Sequence, residues 1–468
     1  MAGDNENFYP RFLDARIENA RIRDTIIRAS IVIPPFYEVV FLNDTATETL
    51  YLLGKVHSLG EVVSLLSKRY NEREDVIMRD VRAFINQGLK TGFITRKPTV
   101  SPLEKLEFTT DYSGHFYEDK LRFPVDVDIE VTRKCNMNCM HCYSSSSLYT
   151  RLTGPSLEDI DILSEELAEG HVLRVLIGGG EPLLRDDIVE IVKMFTKRGM
   201  YVLLSSNGYY FDYDIGRELF AAGLRVIQFS VDGVGDTHDN IRGVKGAFRR
   251  VVQAIDVARE LGFHVMVKSI AMRSNIAELP ALARLLCDKG VEAYYINRPV
   301  PAGRAKENWS KIHVYYKELE KTRRLIEAVW KNSGCRGKLG VENRKIMGAS
   351  SNNGGSLGGI CNAGITYVSL DALLHVKPCG FYPVSYSCGR LYREYDSLAE
   401  AWEECPIFKL LRRLSTRSLE EPCRSCGLCN GGCRAAALLM FGRLTAPDPL
   451  CPLVEEGLYG VGKHGGRG

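Results

Sequence analysis

The chain has 468 residues, and a prior of roughly one domain per 150 residues predicts about three. With 61 Lys and Arg against 58 Asp and Glu the formal charge is +3. That balance supplies no global basic field to gather nucleic acid and no acidic excess to keep the chain unfolded. An apolar share of 45% is that of a folded globular protein.

In chain order, the first ten residues, MAGDNENFYP, lack the basic start and apolar run of a secretory signal. They predict a cytoplasmic protein in a reducing compartment, where structural disulfides are rare. The most apolar early stretch, 31–42, is broken by Pro34, Pro35 and Glu38, so no membrane span is expected. Residues 1–94 read as a small α+β unit. Ile26 to Leu42 alternates weakly and is rich in Ile, Val, Phe and Tyr, as short strands are. Three helical stretches follow. Thr45 to Glu48 and Ser58 to Glu61 fit the capping box, and Val76, Val81, Phe84, Ile85 and Leu89 make an apolar stripe at helical spacing. The runs VVFLNDTATETLYLLGKVHSLGEVVSLLSKRY and MRDVRAFINQGLKTGFI, with Leu42-Asn43 between strand and helix, resemble the PqqD-like peptide-recognition domain over about residues 15–95. That resemblance implies a winged-helix-like module to which a precursor peptide adds as a strand. Residues 95–124 read as a linker.

From 125 to 310 short apolar runs alternate with amphipathic helices. The strands expected are 125–131, 172–177, 201–206, 226–231, 264–270 and 293–297. Pro155-Ser156 marks a helix start and Gly199 a helix end. Six βα units predict an α/β fold, a partial (β/α)6 TIM-type barrel with its site at the C-terminal strand ends. Residues 311–350 connect onward, with one amphipathic helix expected at 310–332. SSNNGGSLGG at 350–359 reads as a flexible loop into the last unit, 351–468.

The 14 cysteines are bunched: three lie between Cys135 and Cys142, nine between Cys361 and Cys451, and none before Cys135. Bunching points to metal or cluster ligation, because cysteines used as small apolar residues need not cluster. Cys135-x3-Cys139-x2-Cys142 follows the first strand and can serve three corners of a cubane, leaving one iron open. Zinc, with His141 as a fourth ligand, is the competing reading. This motif resembles the radical SAM superfamily signature. Gly179-Gly180-Glu181-Pro182 resembles that family's GGEP motif, although Gly178 stands where many members have Thr. Ser206-Asn207-Gly208 and Ser230-Val231-Asp232-Gly233 resemble its ribose- and carboxylate-contacting segments, followed by His238-Asp239-x2-Arg242-Gly243. His141 and Tyr143 sit where the family contacts adenine and follows its last ligand. The resemblance implies S-adenosylmethionine and a 4Fe–4S cluster as cofactors, and reductive cleavage to a 5′-deoxyadenosyl radical. Alone, each lesser motif could be no more than a turn or a strand end.

The second set reads Cys361-x17-Cys379, then Cys423-x2-Cys426-x2-Cys429-x3-Cys433, then Cys451. Seven thiols are nearly two cluster loads, and a zinc ribbon could use four of them. The string resembles the iron–sulfur SPASM extension of peptide- and cofactor-modifying radical SAM enzymes. It departs from that pattern in having two residues rather than five between Cys426 and Cys429, and Leu374 where Gly is usual. The resemblance implies one auxiliary cluster on Cys361, Cys379 and Cys433 and another on Cys423, Cys426, Cys429 and Cys451. Cys388 completes the first or is a bystander, as Cys287, Cys335 and Cys405 are read to be. Arg304 and Asp239 read by default as surface charges. The function expected is maturation of a precursor peptide or protein by hydrogen abstraction, with ferredoxin or flavodoxin as electron donor. Modification of a tetrapyrrole-type cofactor precursor, or a zinc or redox adaptor without catalysis, are the alternatives.

Overall fold

The structure is a computed structural model that describes residues 7–455 and 457, apart from 23–24, 57, 100, 102, 104–119, 152, 343–360 and 427–430. The stretch 350–359, most of the 95–124 linker and Cys429 therefore lie outside the described residues. Among the described residues no helix is long and apolar enough to cross a membrane.

The N-terminal unit pairs β1 (Tyr9–Pro10) with β5 (Ile94–Thr95) and builds a three-stranded sheet in the order β2 (Asp14–Ile22), β3 (Thr25–Ile33), β4 (Glu38–Leu42). The sequence pattern foreshadowed β3 and β4 but not β2, where the alternation of Ala15 and Ile17 with Arg16 and Glu18 breaks at Asn19-Ala20, the site of a register shift. Helices α1 (Asp44–Lys55), α2 (Leu59–Tyr70) and α3 (Glu74–Thr91) follow. The first expected capping box does not form: Asn43 caps α1, its Oδ1 accepting from Ala46 N–H at 2.9 Å. Thr47 instead turns its hydroxyl back to the Asn43 carbonyl, as threonines inside helices do. Ser58 does occupy the N-cap of α2, without a side-chain capping bond. In α3 only Val81 and Ile85 of the expected stripe are fully buried.

The second body is one sheet of nine strands. Parallel strands β6 (Asp126–Glu130), β7 (Arg174–Gly178), β8 (Tyr201–Ser206), β9 (Val226–Ser230), β10 (His264–Ile270) and β11 (Ala293–Asn297) alternate with α4 (Leu157–Glu169), α5 (Ile188–Lys197), α6 (Tyr213–Ala221), α7 (Asp236–Arg242), α8 (Ala247–Glu260) and α9 (Leu279–Asp288). These are the six strands expected from sequence. Ser156 caps α4 with a complete capping box to Asp159. The structure adds strands at both edges, β12 (Lys338–Val341) parallel beside β11 and β13 (Tyr367–Leu370) parallel beside β6, with β14 (Val376–Lys377) antiparallel outside it. The helix expected at 310–332 is broken. Short turns α10 (Arg304–Glu307) and α11 (Trp309–Ile312) end at His313, and α12 (Tyr316–Asn332) starts afresh. Beyond the sheet lie α13 (Leu398–Glu404), α14 (Pro406–Arg413), α15 (Arg434–Phe441) and α16 (Pro452–Glu455). Trp402 on α13 is buried in the barrel core and donates to the Leu121 carbonyl at 2.9 Å.

The two bodies share a core. Along β6, Val127 and Ile129 are buried toward the helices, so the period of two turns Asp126, Asp128 and Glu130 inward. The N-terminal sheet is covered on both faces. Ala29, Ile31, Ile33 and Leu42 pack on its own helices, while Val32, Val39 and the hairpin tip Phe36-Tyr37 belong to the barrel core. The tip meets the first residues of several barrel strands: Tyr37 with Tyr201, ring centroids 4.9 Å apart, Phe36 with His264, and Glu38 with Lys338, while Glu38 also accepts from the Tyr295 hydroxyl at 3.1 Å within β11. The hairpin is the floor of the barrel, at the end opposite the strand-end motifs.

Arg174, the first residue of β7, is 4% exposed and binds the Asp126 carboxylate through two guanidinium nitrogens, with a third bond of 3.2 Å to the Tyr37 carbonyl. Removing one partner of such a pair leaves an uncompensated buried charge. Arg174→Leu is expected to lower stability by about 3–5 kcal/mol. The double replacement of Arg174 and Asp126 by leucine should cost far less, as measured by urea unfolding.

Candidate active site

The strand-end motifs converge on one another through the backbone. Gly179, Gly180 and Glu181 run beside residues 132–134, directly before Cys135: Gly180 N–H donates to the Thr132 carbonyl at 2.7 Å and Glu181 N–H to the Lys134 carbonyl at 2.9 Å. Gly179 has φ +130°, and a Cβ at either glycine would be driven into those carbonyls. Only glycine allows so close an approach.

Glu181 is fully buried. Its carboxylate accepts from Ser206 Oγ (2.8 Å), Asn207 N–H (2.7 Å) and Leu183 N–H (3.1 Å). Burial pushes its pKa up, and these donors pull against the shift. Asn207 Nδ2 in turn donates to Asn136 Oδ1 in the cysteine loop at 2.7 Å. Cys135 and Cys139 are buried together with Met137 and Ala247, and Cys142, Tyr209 and Val244 pack against them.

The Cys139 end of the loop is held by a charged chain. Asp232, just beyond β9 and its last residue Ser230, has no exposure, accepts from Ile270 N–H at 2.8 Å and is ion-paired with Arg242 Nη2 at 2.6 Å. Arg242 Nη1 lies 3.6 Å from Cys139 Sγ. Burial raises the Asp232 pKa, but Arg242, His141 and the Ile270 amide outweigh it and hold the carboxyl below the usual range. His141 Nε2 is 3.4 Å from the same carboxylate, and burial pushes the imidazole down to about 4. His238 Nδ1 accepts from Asp232 N–H at 3.1 Å.

Two residues read as surface charge are structural. Arg304 donates to the carbonyls of Cys139 and Ser146, both at 2.9 Å, and Asp239 accepts from the amides of Gly246 and Phe248. Sequence reasoning missed Asn136 and Arg133; Arg133 binds Glu130 at 2.8 Å and the Ser144 carbonyl at 2.6 Å. The inward acids Asp128 and Glu130 were legible as alternate carboxylates in an apolar strand. Asp128 accepts from the Tyr367 hydroxyl at 2.9 Å and is half-buried in mid-sheet. Burial pushes its carboxyl up to about 7 and, across the lumen, pushes Lys268 down to about 8.

Of the second cysteine set, Cys361, Cys379 and Cys433 pack in one apolar cluster with Tyr382, Ala363 and Leu438. Cys433 caps α15, and its N–H donates to Asp448 at 2.8 Å. Tyr143 bridges the two sets, its ring edge-on to Phe381 at 5.3 Å, two residues beyond Cys379. Cys423 sits with Leu414 and Leu419, and Cys451 is buried before α16. Cys388 is not available to the nearer set: it is disulfide-bonded to Cys405, and Cys287 to Cys335. Those four are therefore neither ligands nor bystanders, and the expectation that structural disulfides are rare here does not hold. The pairs stand 5.3 and 5.5 Å apart at Cα, within the disulfide range.

The residues fit the cofactors that the sequence implied. Among the described residues no three His, Cys, Asp or Glu side chains are placed to hold one metal ion, whereas thiolates of a four-iron cluster each take a different iron. Around the loop His141 Nδ1, Asn136 Nδ2 and Arg304 Nη2 are buried without hydrogen-bond partners, as a polar ligand seated there would require.

Replacing Glu181 by alanine orphans three buried donors. It is expected to cost about 1–3 kcal/mol in urea unfolding.

Two family models match the chain, the radical SAM superfamily over residues 129–286 and coenzyme PQQ synthesis protein D over 34–94. The AdoMet-dependent heme synthase of Methanosarcina barkeri is 30% identical over 343 residues, 69% of this chain and 94% of that protein. The PqqA peptide cyclase of Gluconobacter oxydans is 27% identical over 334 residues, covering 70% and 91%. In fold the chain is similar to Streptococcus suis SuiB bound to precursor peptide SuiA, with a TM-score of 0.62 at 14% identity over 96% of this chain and 99% of that one. The chain belongs to the radical SAM superfamily: it is an enzyme that works with S-adenosylmethionine and a 4Fe–4S cluster, and a PqqD domain precedes its barrel.

Proposed function

We propose that this enzyme matures a precursor peptide by hydrogen abstraction. The observation that supports a peptide is the PqqD sheet. Its β4 edge has no strand partner beyond β3 among the described residues, while the β2 side is tied to the barrel through Arg16, which donates to the Phe123 and Pro124 carbonyls. An open edge takes an extended peptide through backbone hydrogen bonds.

The bound cofactors supply a 5′-deoxyadenosyl radical, generated after one-electron reduction by a ferredoxin or flavodoxin. Cys135, Cys139 and Cys142 would hold the cluster. Gly179, Gly180, Glu181, Ser206, Asn207, Ser230, Asp232, Arg242, His141 and Tyr143 would form the S-adenosylmethionine pocket. Glu181 has three of its roughly four acceptor positions filled from within the protein, which leaves one for the cofactor's ammonium. Cys361, Cys379 and Cys433 would hold one auxiliary cluster and Cys423, Cys426, Cys429 and Cys451 a second. Asp128, held by Tyr367, is the lumen group suited to take a proton from the oxidised substrate. In organisation, we assign 1–94 to peptide recognition, 125–310 to the barrel and 351–468 to the auxiliary clusters.

The heme synthase relative favours a second reading, a tetrapyrrole substrate. Anaerobically reconstituted enzyme would be offered the short peptides encoded beside its gene and, separately, iron coproporphyrin. The expected result is a peptide mass change matched by 5′-deoxyadenosine. Turnover of the tetrapyrrole with every peptide unchanged would overturn the peptide reading. Replacement of Cys135, Cys139 and Cys142 by alanine should abolish 5′-deoxyadenosine on either substrate. Deletion of the PqqD domain is not a clean test, because Phe36 and Tyr37 close the barrel floor.

A carboxyl raised to about 7 is mostly protonated at pH 6 and mostly ionised at pH 8. As a base Asp128 therefore gives turnover that rises with pH through about 7. Asp128→Asn should remove that limb and slow product formation by roughly 10²–10⁴, with 5′-deoxyadenosine still formed.

A further inference from the structure

The outer side of the cysteine loop carries charge that nothing in the fold uses. Three segments meet there. Asn138 in the loop touches Gly243, and its N–H donates to the Arg242 carbonyl at 3.0 Å; Val244 and Tyr209 pack directly on the core formed by Cys135 and Cys139. These segments, 134–145, 206–210 and 243–250, contain no Asp or Glu. They do contain Lys134, Lys245, Arg249 and Arg250, all exposed.

Arg250 stands over the Tyr209 ring, 5.4 Å from its centroid. Lys134, Lys245 and Arg249 make no ion pair among the described residues. Neighbouring carboxylates are committed elsewhere: Asp239 to the Gly246 and Phe248 amides, Asp212 to the first turn of α6, and Asp214 to Arg217. Some exposed cations elsewhere on the barrel are matched, as Arg284 is with Asp288 and Lys289 with Asp256.

We propose that this rim of Lys245, Arg249 and Arg250, with Lys134, is the docking surface for an acidic one-electron carrier protein. One electron passes there from the reduced carrier to the iron–sulfur cluster of the Cys135–Cys142 loop. The inference rests on the reading that this loop holds the cluster. Two features select the occupant. Val244 and Tyr209 of this rim pack directly on the cysteine-bearing core, so a carrier docked there sits next to it. Its uncompensated positive charge complements an acidic protein and steers encounter, an effect worth roughly 10- to 1,000-fold in association rate at low salt. The precursor's own binding edge, β4, lies at the opposite end of the barrel, so carrier and substrate do not compete.

The test follows reduction of the reconstituted holoenzyme by stopped flow, with reduced flavodoxin as one electron source and dithionite as the other. With flavodoxin, wild-type rates should fall steeply as salt rises. K245E/R249E should reduce the low-salt rate at least tenfold, with dithionite reduction, iron and sulfide content and S-adenosylmethionine affinity unchanged. K321E/K331E, on α12, makes the same change in net charge and should leave the rate as it is. Equal slowing by both pairs would show a general charge effect and overturn the proposal. So would an unchanged flavodoxin rate in K245E/R249E, or loss of precursor-peptide binding in its place. Failure of dithionite to reduce any cluster that depends on Cys135, Cys139 and Cys142 would instead remove the underlying reading.

Discussion

A single buried carboxylate holds this site together. Glu181 ties its own strand end, through Ser206 and Asn207, to the strand end beside it, and Asn207 passes the connection to Asn136 inside the cysteine loop. Its backbone closes the other side by bonding to Lys134. Three loops with no regular structure of their own acquire fixed geometry because a charge without access to water must keep its donors. Asp232 does the same work one layer further round, fastening His141, Arg242 and, through Arg242, Cys139. A ligand bound among these loops meets positions that are already set, which lowers the ordering cost of binding.

The floor of the barrel is set by a different constraint. An open arc of parallel strands exposes its lumen at both ends, and polar inward residues such as Asp126 cannot be left to face a void. The PqqD hairpin fills that end with Phe36 and Tyr37 and lends a carbonyl to Arg174. The consequence is directional. The floor and the cysteine loop lie at opposite ends of strands of five to seven residues. At about 3.3 Å per residue that is roughly 17–23 Å, the distance that a peptide bound at β4 as proposed would have to run to reach the loop.

The auxiliary region is fastened at separate points. Tyr143 meets Phe381, Trp402 reaches Leu121, and Arg298, buried beyond β11, binds Glu455 at 2.6 Å close after Cys451. Cysteines far apart in the chain are thus brought to the barrel by contacts unrelated to the thiols. The disulfide Cys388–Cys405 belongs to that scaffold rather than to a cluster.

The sequence by itself determined the elements whose signal is local. Six strands and their helices followed from apolar period, the start of α4 from Pro155-Ser156, the cysteine loop from its spacing, and Gly179-Gly180-Glu181 from its resemblance to the radical SAM motif. Their chemistry was legible because radical SAM motifs are short and contiguous. Only the tertiary structure decided β2, β12 and β13, since strands at or next to a sheet edge owe their existence to a partner and carry weak periodicity of their own. It alone moved the α1 cap to Asn43, paired Cys287 with Cys335 and Cys388 with Cys405, and turned Arg304 and Asp239 inward. Disulfide partners and buried ion pairs depend on separations that no spacing along the chain encodes. Tyr37 is the clearest case: nothing about a tyrosine after two prolines announces that it seals a barrel more than 80 residues downstream, because that role exists only once the two cores have met.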